Sequence, residues 1–125
     1  MSSVPLFRVT VERLEKTCLI RASGELDRGT ANRLSSALDA ARADGVTAML
    51  DLSAVSFIDT AGLRVLLRSA HAADAHDWVW FIVRASSAVW RVVDLTGTRS
   101  ELPLVAPPSS MRTAPLKAAP QRLAG

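Results

Sequence analysis

The chain has a single cysteine, Cys18, no tyrosine, and two histidines, His71 and His76, five residues apart. One cysteine excludes an internal disulfide, and no Cys/His spacing suits a zinc site, so neither a metal nor a cofactor is expected. Histidines at i and i+5 do not share a helix face and read as solvated surface. No apolar run approaches the roughly 20 residues of a membrane span. The opening Met-Ser-Ser-Val-Pro-Leu-Phe-Arg has no apolar core of a signal peptide, so the expected location is the cytoplasm, with no membrane contact. Gly24, Gly29, Gly45, Gly62 and Gly97 are too dispersed to form a phosphate loop.

The basic character is local. The net charge of +3 equals the contribution of Arg112, Lys117 and Arg122, which lie beyond Val105 where no acidic residue occurs. The remainder balances, and a nucleic-acid binder would concentrate positive charge on its folded domain, so no direct nucleic-acid partner is expected. Residues 106–125, rich in Ala and Pro, show no apolar period and read as a flexible tail. At 125 residues, nearly half of them hydrophobic, the chain suits one domain with one core.

Along that domain the apolar period switches repeatedly. Phe7, Val9 and Val11 alternate with Arg8, Thr10 and Glu12, a half-buried strand over 5–12. A second strand over 17–22 follows as its hairpin partner, with Cys18 read as a small buried hydrophobe. Ser23-Gly24-Glu25-Leu26-Asp27 reads as a break. Ala31, Leu34, Leu38 and Ala41 then give a helix over about 29–43, with Asp27 or Thr30 as its cap and Gly45 as its stop. Residues 46–52 read as a strand covered on both faces, 60–75 as a helix, and 78–83 as the most strand-like run. A third helix starts at Ser86 or Ser87 and ends at Gly97, with a short last strand over 102–105. The order β-β-α-β-α-β-α-β predicts an α/β domain with a mixed sheet, parallel in its second half.

The stretch from Met49 to Leu63 organises the rest. A buried strand feeds a loop that delivers Asp59 and Thr60 to a helix start, where Leu63, Leu66, Leu67 and Ala70 share a face. Free backbone N–H groups at such an end favour an anion, and a hydroxyl there can cap the helix or carry a phosphate. An aspartic-protease reading of Asp59-Thr60 fails, because that chemistry needs two carboxylates and Gly after the Thr, where Ala61 stands. A receiver domain phosphorylated on Asp51 fails too. It needs an acidic pair after the first strand and a lysine after a later one, and only Lys16 and Lys117 are present. With no nucleophile–base pair, no catalytic residues are expected and the chain does not read as an enzyme.

Gly24-Glu25-Leu26-Asp27, the motif from Asp51 to Leu63, and Asp94-Leu95-Thr96-Gly97 together closely resemble the STAS domain family, and within it the bacterial anti-anti-sigma factors, or anti-sigma factor antagonists. The resemblance spans about residues 5–105 and implies one domain over 1–105. It implies a partner-switching regulator of sigma-factor-dependent transcription. Unphosphorylated, such a protein binds an anti-sigma factor, a serine/threonine protein kinase of the GHKL class. Phosphorylation of Thr60 releases that partner, and a PP2C-type phosphatase reverses the step. Asp27, Asp59, Ala61 and Gly62 are the implied partner contacts, with Asp27 either the first helix's cap or a wall of the partner site. Gly62 is read as a small residue that lets a partner or loop approach the helix start. Two other readings are a ligand- or nucleotide-sensing STAS module and a switch that binds its partner constitutively. His76-Asp77 replaces the usual glycine turn before the fourth strand, and Thr98 a frequent Leu. Trp90, one step off the Val89–Val92–Val93 stripe, is either core edge or an exposed binding anchor.

Overall fold

The structure, a computed structural model, describes residues 6–105. The expected tail over 106–125 lies outside the described residues. Strand β1 (Arg8–Arg13) and strand β2 (Thr17–Leu26) form the expected antiparallel hairpin, closed by the Leu14 N–H donating to the Thr17 carbonyl at 2.8 Å. Helix α1 (Ala31–Ala43) leads to β3 (Thr47–Ile58), α2 (Thr60–His76) to β4 (Trp80–Ala85), and α3 (Ser87–Thr96) to a 3-10 turn at Arg99–Glu101. The sheet order is β1-β2-β3-β4, with β2, β3 and β4 parallel, as the element order predicts. The expected last strand reduces to a single bridge between Ile82 and Leu104.

One core joins the sheet to all three helices. Cys18, Ile20, Ala22 and Leu26 of β2, Ala48, Leu50 and Leu52 of β3, and Trp80 and Ile82 of β4 are buried with Leu34, Leu38, Leu66, Val89 and Val93. Their alternation corrects the expectation for β3: Thr47, Met49 and Asp51 are only half-buried, so the strand is covered on one face, not both. Burial pushes the Cys18 thiol up, outweighing the nearby Arg13, which agrees with an inert core residue.

Two strands run further than the sequence pattern indicates. β2 continues through Gly24, whose φ of +99° and close neighbours explain the apparent break. A Cβ there would lie 3.0 Å from the Phe7 Cα, so glycine marks a close approach of the chain ahead of β1. β3 continues six residues past Leu52 with register shifts against β2 on either side of the Ala54–Val55 pairs. The shifts space its later buried residues, Leu52, Val55 and Ile58, three apart, a period of neither strand nor helix. This extension carries the chain to the site.

Helix α2 ends with Asp77 in the left-handed conformation (φ 55°, ψ 39°), the position where glycine is usual and where aspartate is among the few tolerated alternatives. On α3, Trp90 is 2% exposed, with Arg99 from the 3-10 turn stacked 4.9 Å from its ring centroid and held by Asp94 at 2.9 Å. The reading of Trp90 as an exposed anchor is therefore corrected. The turn after α3 folds back over the indole and takes it into the core, where its Nε1 has no hydrogen-bond partner among the described residues.

Candidate functional site

The site forms where β2 and β3 end side by side. Leu26 pairs with Ile58, so the next residues on adjacent parallel strands are Asp27 and Asp59. The Asp59 N–H donates to the Leu26 carbonyl at 3.2 Å, which ties the two strand ends together. From here the two aspartates take different roles.

Asp59 is the N-cap of α2. Its carboxylate accepts from the Ala61 N–H at 2.9 Å and the Gly62 N–H at 3.1 Å, which satisfies two of the orphan donors at the helix start. Two of the N–H groups expected to favour an anion are thus taken by the protein's own Asp59 carboxylate. Thr60 is the first helical residue, exposed, and its hydroxyl takes no part in the cap. Arg64, also exposed, stands one turn further on the same face.

Asp27 and Thr30 form a closed turn. The Asp27 Oδ1 accepts from the Gly29 N–H at 3.0 Å, while the Thr30 hydroxyl donates to the Glu25 carbonyl at 2.7 Å and accepts from the Asp27 N–H at 2.9 Å. Thr30 occupies the cap position of α1 without making a side-chain cap bond. The carboxylate of Asp27, a half-buried residue, is thus a turn-former.

Gly62 is buried. A Cβ on it would fall 2.7 Å from the Leu26 carbonyl oxygen and 2.9 Å from Ile58 Cγ1. What approaches the helix start so closely is the end of β2, so glycine here fixes how α2 docks on the sheet. Asp59 and Ala61 are half-buried, leaving Thr60 as the most open member of the group. Sequence reading passed over Phe57, 47% exposed on the last turn of strand before the loop; the shifted register that turns it outward has no signature in the residue pattern. Asp51, read with this motif, serves the strand. It accepts from the Ser53 N–H and hydroxyl at 2.9 and 2.7 Å and lies 3.8 Å from Arg21.

A family model described as the STAS domain matches residues 8–109. The chain belongs to the STAS domain family. An anti-sigma factor antagonist from Mycobacterium paratuberculosis has a similar structure, at 26% identity, TM-score 0.71, and full coverage of both chains. The anti-sigma factor antagonist SpoIIAA in its unphosphorylated form matches at 20% identity and TM-score 0.65, over 94% of this chain and 96% of that one. The STAS fold also matches murine Solute Carrier 26 family member A9, an anion transporter, at 17% identity and TM-score 0.61, over 74% of this chain but only 16% of the transporter. The last two likenesses show the fold alone. No curated protein sequence matches significantly. Among the described residues of this STAS domain, no helix is long and apolar enough to cross a membrane, and no cluster of His, Cys, Asp and Glu could hold a metal.

Proposed function

We propose that this STAS domain is an anti-sigma factor antagonist whose partner affinity is switched by phosphorylation of Thr60. The observation that carries the reading is the exposed Thr60 hydroxyl, left out of the cap by Asp59 and set on a capped helix start. The similarity to the mycobacterial antagonist over both full chains supports the role. The unphosphorylated domain binds an anti-sigma factor, a GHKL-type serine/threonine kinase, through the surface around Asp27, Asp59, Ala61 and Thr60, with buried Gly62 setting its shape. A phosphate adds about −1.5 to −2 charge at neutral pH. Because the Ala61 and Gly62 N–H groups already bind Asp59, the phosphate gains little from the helix start and meets the Asp59 carboxylate instead. The added charge and bulk therefore turn outward to the partner while the cap and the fold persist. A PP2C-type phosphatase would reset the switch.

The test is a pull-down with unphosphorylated protein, then intact-mass measurement after incubation with ATP and the captured partner. A kinase-fold partner, a gain of one phosphate on Thr60, tight binding by Thr60→Ala and weak binding by Thr60→Glu are expected. If Thr60→Glu binds as tightly as the unsubstituted protein and Thr60 never acquires phosphate, the switch is wrong. Nucleotide retained without phosphate transfer would favour a ligand-sensing module.

A further inference from the structure

The two edges of the sheet are finished differently. Along β4, the Ile82 N–H donates to the Pro103 carbonyl at 2.9 Å and the Val105 N–H to the Ile82 carbonyl at 3.1 Å, so the following chain covers that edge. Along β1 no described segment plays this part. The hairpin parity identifies what the edge presents. Leu14 and Thr17 form a hydrogen-bonded pair, so Thr10 and Glu12, paired with Arg21 and Leu19, turn their N–H and C=O groups inward to β2. Val9 and Val11 therefore turn theirs outward. Val11 also leaves its side chain 51% exposed.

We propose that β1 pairs antiparallel with β1 of a second copy of this chain, about a two-fold axis at Thr10. Only a register in which outward-facing residues oppose each other makes the backbone bonds. Centring on Thr10 does so, opposing Val9 of each copy to Val11 of the other. It also opposes Arg8 to Glu12 twice, and Thr10 to itself, at the closely spaced non-hydrogen-bonded positions where side chains interact most. Centring on Val9 or Val11 keeps the parity but sets Arg8 against Thr10 or Leu14 and leaves both charges without a partner. The strand's charge pattern thus selects one register, and that register covers the exposed Val11 side chain with Val9. The helices allow it. With α1 over β2, the two copies of α1 stand about three strand spacings, roughly 14 Å, apart, wider than the about 10 Å of a packed helix. The inference concerns the edge opposite β4 and does not depend on the Thr60 switch.

Sedimentation velocity on the full chain over a concentration series, up to about 1 mM, tests it. A concentration-dependent dimer is expected. Arg8→Glu or Glu12→Arg alone places like charges together at both ends of the two-fold axis and should weaken the dimer about tenfold or more, whereas the double reversal should restore it to within about threefold. Val11→Pro removes an outward N–H without touching the β1–β2 ladder, so it should give a folded monomer whose melting curve matches that of the unsubstituted chain at dilutions where it too is monomeric. A monomer throughout the series overturns the proposal. So does a dimer indifferent to Val11→Pro, or a double reversal no better than its parents.

Discussion

The junctions after β2 and β3 are built from the same residue types and end in opposite states. Each begins with an aspartate directly after register-matched Leu26 and Ile58, and each has a threonine at or beside the following helix start. At the first, the Thr30 hydroxyl is committed to the Glu25 carbonyl and the Asp27 N–H, and no side chain caps α1. At the second, Asp59 does all the capping and Thr60 is left exposed. Loop length makes the difference. The two residues between Asp27 and Thr30, Arg28 and Gly29, let the threonine fold back on its own turn. With no residue between Asp59 and Thr60, the aspartate must be the cap and the threonine must be helical. A free hydroxyl on a capped helix start is thus a consequence of spacing, and the first junction is the internal control for the second.

The largest effect tests the core beneath α3, away from both junctions' hydroxyls. Trp90→Ala should lower stability by about 3–5 kcal/mol, because it empties a buried site beneath Arg99. Partner affinity per folded molecule should hold in a titration beside the thermal melt; a specific loss of affinity in a stable variant would return Trp90 to the binding surface.

Next in size is a matched pair of glycine substitutions. Gly62→Ala drives a Cβ into the Leu26 carbonyl and should cost about 2 kcal/mol or more in chemical denaturation. At the closed junction, Gly29→Ala meets only the Asp27 Oδ1 at 3.5 Å and should stay within about 0.5 kcal/mol. Equal costs would mean that α2 is not pinned to β2 by close contact.

The smallest pair addresses the hydroxyls themselves. Thr30→Ala should cost about 1–2 kcal/mol by stranding two backbone groups, and Thr60→Ala no more than about 0.5 kcal/mol. A substantial cost at Thr60 would show that its hydroxyl is structural, which would remove the contrast between the junctions.

Local pattern alone carried the hairpin, the three helices, the parallel order and a serine cap at Ser86 or Ser87, of which Ser86 is the one used, since alternation, 3.6-residue spacing and capping chemistry act between near neighbours. The same locality placed Asp59 and Thr60 at a helix start. It did not reveal which of them caps, because that depends on where the helix begins to within one residue. The ends of β2 and β3 were beyond it as well. Gly24 looks like a break until Phe7 is seen packed against it, and the Leu52–Val55–Ile58 spacing makes sense only against the register of β2. Trp90 stood one step off an apolar stripe and became core because Arg99, nine residues later, closes over it. Gly62 needed β2, more than thirty residues earlier, to show what approaches it. Residue spacing therefore determined the elements and the kind of chemistry at the helix start. Tertiary packing decided which strand ends meet, which hydroxyl stays free and which indole is buried, because each of those is a contact between segments far apart in the chain.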